Sequence, residues 1–132
     1  MENDNYYFII DSSFLIAFYN EEDNQHTEAL KIIDKLSDKF VLLHPYVVEE
    51  VATVLTYKSD VSTTKKFLDN VVNSENVTIP LVNIKEEIKF FLKLNKRISF
   101  TDSTLIKLSK EKNIPILTFD KQIISILKTI NF

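Results

Sequence analysis

The stretch Tyr6-Tyr7-Phe8-Ile9-Ile10-Asp11-Ser12-Ser13-Phe14-Leu15 decides how the rest of the chain is read. Aromatic and β-branched residues run without a polar break from Tyr6 to Ile10 and stop at a carboxylate, which suits a strand buried on both faces of a sheet. Phe14, Leu15 and Phe18 then recur at helical spacing, so a short helix starts at the two serines. A strand leading through an acid into a helix puts Asp11 at the strand's carboxyl end, the edge where open α/β sheets keep their ligands.

Outward from this unit, strands and helices alternate. Glu28 to Leu36 is amphipathic, Phe40 to Leu43 reads as a second strand, and Pro45 opens a helix to about Tyr57. Ser62 to Val72 reads as helical, Val77 to Val82 as extended despite Pro80, and Lys85 to Leu94 as helical. A helix from about Thr101 to Lys112 precedes a short strand, Ile114 to Thr118. Asp120 starts a last helix or turn, and Lys128 to Phe132 is expected to close as an edge strand. This alternation predicts an α/β sandwich with a mainly parallel sheet.

Composition removes several function classes. The 132 residues are 45% hydrophobic and 27% charged, which fits one domain over residues 1–132. With no cysteine and only His26 and His44, thiolate chemistry and sulfur- or histidine-rich metal sites lapse, so any cofactor site leans on oxygen. Glycine is absent too, which removes Gly-rich phosphate loops. The net charge of −3 gives no basic footprint of the kind a passive nucleic-acid binder shows. The acidic start does not read as a secretory signal, and no run approaches the roughly 18 apolar residues of a membrane span. A soluble, cytoplasmic protein is expected.

Asp11 and Asp120 both follow strands and fall on the same sheet edge. Each also precedes a helix and suits an N-cap, so capping is the plain alternative role. Asp102 lies on one helical face with Leu105, Ile106 and Ser109, at about 100° per residue, and so points inward. A cap by Ser99 or Thr101, with Asp102 complementing the helix N-terminus, explains its position but not its direction. After Pro45, residues Val47, Val48, Val51, Val54 and Leu55 make an apolar stripe. Glu50 sits at its margin, whereas Glu49 lies opposite and reads as solvated. Carboxylates gathered in one cleft repel unless a counter-charge is supplied. No Lys or Arg is placed to pair all four, and an all-oxygen set suits Mg²⁺ or Mn²⁺. Such ions activate water against a phosphodiester, the chemistry of a metal-assisted nuclease.

The order and setting of these acids resemble the PIN-domain ribonucleases, particularly VapC-type toxins of bacterial toxin–antitoxin pairs. The matching pieces are Ile9-Ile10-Asp11-Ser12-Ser13-Phe14-Leu15-Ile16, Val48-Glu49-Glu50-Val51, Phe100-Thr101-Asp102-Ser103 and Leu117-Thr118-Phe119-Asp120-Lys121. The resemblance implies a three-layer α/β/α sandwich and a metal-dependent endoribonuclease using Mg²⁺ or Mn²⁺. It implies that Asp11, Glu50, Asp102 and Asp120 form the acidic pocket, with Asp11, Asp102 and Asp120 as metal ligands. Ser13 and Thr118 match the small polar positions that support the aspartates. RNA as substrate, a small antitoxin as partner and a homodimer follow from the same likeness. The doubled Glu49-Glu50 departs from the family pattern. So does the lack of glycine near Asn113, although Asn can also enter the left-handed conformation.

Other residues attract less. His26 and His44 read as boundary or capping residues, and Phe90, Phe91 and Phe100 as packing. Of the cations near the acids, Lys93, Lys96, Arg97 and Lys121, we single out Arg97 and Lys121 as contacts for RNA phosphates. A catalytically silent scaffold or protein-binding module is the main alternative function. A phosphotransfer domain using Asp11 ranks below it, because Asp11-Ser12-Ser13 lacks a second aspartate and no Gly-rich feature completes the site.

Overall fold

A computed structural model describes residues 8–129. Its strands are β1 (Phe8–Ile10), β2 (Val41–Leu42), β3 (Val77–Thr78) and β4 (Ile116–Leu117). They form one sheet in the order β3-β2-β1-β4, and every pairing is parallel. Parallel neighbours require crossovers, and the helices supply them. These are α1 (Ser12–Tyr19), α2 (His26–Leu36), α3 (Pro45–Lys58), α4 (Val61–Asn73), α5 (Ile84–Leu94), α6 (Phe100–Lys112) and α7 (Lys121–Thr129). The architecture is the expected α/β/α sandwich.

The helices group by their contacts: α1 packs on α2 and α3, and α3 on α4, while α6 packs on α5 and α7. Ile9 in the central β1 is fully buried, with Phe14, Val47, Val51, Leu55 and Leu105 around it. A smaller cluster of Ile106, Ile123 and Ile126 fixes α7 onto α6. Helix α6 is buried on most of its circumference, including Ser103 and Thr104. Their hydroxyls donate back to the carbonyls of Phe100 and Thr101 at 2.8 and 2.6 Å, which is how polar residues are accommodated there.

Several boundaries differ from the sequence reading, and β2 keeps only Val41–Leu42 of the strand expected over 40–43. The extended segment expected over 77–82 keeps only Val77 and Thr78 as strand, because Pro80 lacks the donor a ladder needs. The strand expected over 114–118 likewise narrows to Ile116–Leu117. At the end of the chain, Lys128 and Thr129 continue α7 rather than opening an edge strand, and residues 130–132 lie outside the described residues, as do Tyr6 and Tyr7. Asn95 and Asn113 end α5 and α6 with φ of 49° and 56°, so asparagine takes the left-handed role glycine often fills.

Candidate active site

The site begins where β1 and β4 stop together. Ile10 pairs with Leu117, and the Asp11 N–H donates to the Leu117 carbonyl at 3.1 Å, so Asp11 and Thr118 leave the sheet side by side. Asp11 is buried, and its side chain is held from both sides. Oδ1 accepts the Ser12 N–H at 2.8 Å and caps α1. Oδ2 accepts the hydroxyls of Ser13 at 2.7 Å and Thr118 at 2.6 Å. The Thr118 hydroxyl in turn accepts the Asp120 N–H at 2.8 Å, so one threonine fixes two of the acids. Asp120 Oδ1 accepts from the Gln122 N–H at 2.8 Å in the first turn of α7. Both aspartates therefore serve as helix-end acceptors while standing at the sheet edge.

The other two acids arrive on helices. Asp102 is in the first turn of α6, where its N–H donates to the N-cap Ser99 hydroxyl at 3.0 Å. It is half-buried, and its pKa is pushed up to about 6. Desolvation is the main cause, followed by the negative charges of Asp11 and Asp120; a hydrogen bond from the Ser99 side chain to the carboxylate opposes them, and Glu50 adds to the rise. All four acids thus act on one point. Glu50 reaches them from α3 through a hydrogen bond from the Ser12 hydroxyl, while its neighbour Glu49 is exposed and accepts only from Thr53. Among the described residues, no Lys or Arg forms an ion pair with any of the four.

The sequence profile of the PIN domain matches residues 8–127. The chain belongs to the PIN domain family. No curated relative matches it. Among solved structures, Mycobacterium tuberculosis VapC20, a sarcin-ricin loop cleaving toxin, superposes with a TM-score of 0.78 at 22% identity. That match covers 89% of this chain and 93% of VapC20, and at this identity it speaks for the fold.

Among the described residues of this PIN domain, no three acidic or histidine side chains stand as a ready-made metal cage. The donor chemistry still fits a hard cation. Mg²⁺ keeps several of its own waters, so carboxylates can hold it without closing a full cage, and among the described residues no basic side chain pairs with the four acids.

The remaining candidates separate clearly. Arg97 and Lys121 are both exposed. The Gln122 amide donates to the Arg97 carbonyl at 2.6 Å, which ties the loop before α6 to the start of α7 beside Asp120. His26 binds the Ala17 carbonyl through Nδ1 at 2.8 Å and joins α2 to α1, a boundary role. Phe100 stacks on Tyr46 and meets Phe91 edge-on, so these rings pack. A cleft of about 760 Å³ between α1, α2 and the α3–α4 turn, lined by Tyr19, His26, Lys58 and Lys66, contains none of the four acids.

Sequence reasoning missed Glu87. It is buried on α5 against His44 and Lys107. Its spacing to Phe90, Phe91 and Leu94 is that of an inward helical face, which was the available signal. His44 is more than a boundary residue, being fully buried and bonded on both ring nitrogens.

Proposed function

We propose that this PIN domain, read as one domain over residues 1–132, is a metal-dependent endoribonuclease of the toxin type that hydrolyses RNA phosphodiester bonds. The observation carrying this reading is that the charges of Asp11, Asp120 and Glu50 all act on Asp102, while no Lys or Arg among the described residues forms an ion pair with any of the four. Asp11, Asp102 and Asp120 are assigned as ligands of Mg²⁺ or Mn²⁺. Bound there, the ion would supply a hydroxide nucleophile and stabilise the leaving oxygen.

The chain's own groups do the positioning. Ser13 and Thr118 orient the Asp11 carboxylate by donating to its Oδ2. Glu50, anchored by Ser12, orients a water or a second ion at the scissile phosphate. Arg97 and Lys121, exposed on either side of the Gln122 bridge, take flanking phosphates without reading sequence. The likeness to VapC20, a sarcin-ricin loop cleaving toxin, supports an RNA substrate, and the reading includes a small antitoxin protein as partner, a homodimer and a cytoplasmic location. No helix among the described residues is long and apolar enough to cross a membrane.

The test is cleavage of structured and unstructured RNA with Mg²⁺, Mn²⁺ or EDTA. Cleavage that needs metal and disappears in both Asp11→Asn and Asp102→Asn is expected. Unchanged cleavage in both variants, or cleavage in EDTA, refutes the assignment, and an inert protein returns the fold to the scaffold reading.

A further inference from the structure

A second polar cluster lies apart from the four acids. His44 caps α3, its Nδ1 accepting the Tyr46 N–H at 3.0 Å, so Nε2 carries the ring proton. Nε2 faces Glu87 Oε1 of α5 at 3.4 Å. The other carboxylate oxygen, Oε2, has no hydrogen-bond partner and lies 3.4 Å from Lys107 Nζ of α6. Lys107 also meets the exposed Glu111 at 3.2 Å. One link, buried at His44 and Glu87 and partly exposed at Lys107, therefore runs from α3 through α5 to α6.

Such a link is a costly way to hold helices together, because desolvating a carboxylate and an ammonium offsets most of their attraction, and apolar side chains of similar size would pack as well. What directional polar contacts add is a fixed rotation and register. Those two helices carry acids that repel each other: Glu50 lies six residues beyond His44 on α3, and Asp102 five residues before Lys107 on α6. The link thus meets each helix within two turns of its acid. Burial also keeps the His44 pKa below its ordinary value against the pull of Glu87, so the ring stays neutral with its donor and acceptor sides fixed.

We infer that His44 and Glu87 are positioning residues that set the placement of Glu50 on α3 relative to Asp102 on α6, and so the geometry of the acidic site. The inference rests on the nuclease reading for its activity readout and on cation binding for an independent one.

Two variants of the full chain test it. His44→Asn keeps a good helix cap but cannot reach Glu87. Glu87→Gln combined with Lys107→Met removes the charges together, so that neither is left buried alone. Melting, Mn²⁺ binding by calorimetry, and kcat and KM on RNA are measured for each. Both variants are expected to melt cooperatively and to keep KM, while kcat falls about tenfold or more, since a misplacement near 1 Å costs up to about 100-fold. The Mn²⁺ dissociation constant is expected to rise severalfold. Wild-type kcat and Mn²⁺ affinity in either folded variant overturn the inference. If wild-type protein binds Mn²⁺ but cuts no RNA, the nuclease reading fails alone, and the affinities decide: weaker binding in the variants supports the positioning role, and equal binding overturns it. A wild type that binds no Mn²⁺ overturns both.

Discussion

Replacing Asp102 with Asn will stabilise the metal-free protein, although it removes an acid from a helix N-terminus where acids are normally favourable. The Asp102 pKa is raised from 3.8 to about 6 by burial and by Asp11 and Asp120, so its charged form is disfavoured in the folded state. Two pKa units correspond to about 2.7 kcal/mol at most. Asp102 is only half-buried and solvent screens it, and Asn forfeits a favourable helix-dipole interaction of about 0.3–1 kcal/mol, so the net gain is about 1 kcal/mol. The sign fixes the pH window. Below the unfolded value of 3.8 the group is protonated in both states and costs nothing; the cost appears as pH rises and is complete above the folded value near 6. Thermal unfolding in EDTA should therefore show Asp102→Asn melting about 3–5 °C above wild type at pH 7.5, with the difference fading towards pH 4. Mn²⁺ should reverse the order by stabilising wild type more. Equal or lower stability of the variant at pH 7.5, or a gain that does not change with pH, would refute the idea that uncompensated charge is stored at this edge.

Four further outcomes follow from particular contacts. Thr118→Val removes the hydroxyl that serves both Asp11 and Asp120, and is expected to cost about 1 kcal/mol in urea unfolding together with a severalfold loss of RNA cleavage. His44 should titrate below 6.5 by NMR; its folded pKa is depressed by burial, so the stability it contributes is present above 6.5 and lost as pH falls through the folded value, and a midpoint at or above 6.5 would contradict this. Asn113, at φ 56°, should tolerate Gly but lose about 1 kcal/mol on replacement by Ala, read from urea midpoints. Arg97→Gln combined with Lys121→Gln should raise KM for RNA and flatten its salt dependence while leaving kcat within about twofold; an unchanged KM would remove these residues from the RNA path.

Much of the fold was legible because burial and periodicity coincide where the sheet is built. Phe8–Ile10, within the unbroken run read from the sequence, is a fully covered inner strand, and Pro45 opens α3 as the first helical residue. The weak points were strand lengths. An apolar run such as Ile79, Leu81 and Val82 looks extended in sequence, yet Pro80 ends the ladder and those side chains are exposed. Glu49 and Glu50 could be told apart by their angle on the helix, and the structure exposes Glu49 while turning Glu50 towards Ser12. The convergence of acids far apart in sequence needed the parallel topology, which puts the ends of β1 and β4 next to each other. Glu87 was hidden for a different reason. Its inward spacing was visible, but its partner His44 lies on another helix start, and no local pattern announces a pairing across three helices.

Calorimetric titration of Mn²⁺ into the metal-stripped wild-type chain, with Asp11→Asn alongside, addresses the central proposition without reference to any RNA. Saturable binding by the wild type, sharply weakened in Asp11→Asn, is the predicted outcome. No binding by a folded wild type, or binding that Asp11→Asn leaves intact, would contradict it.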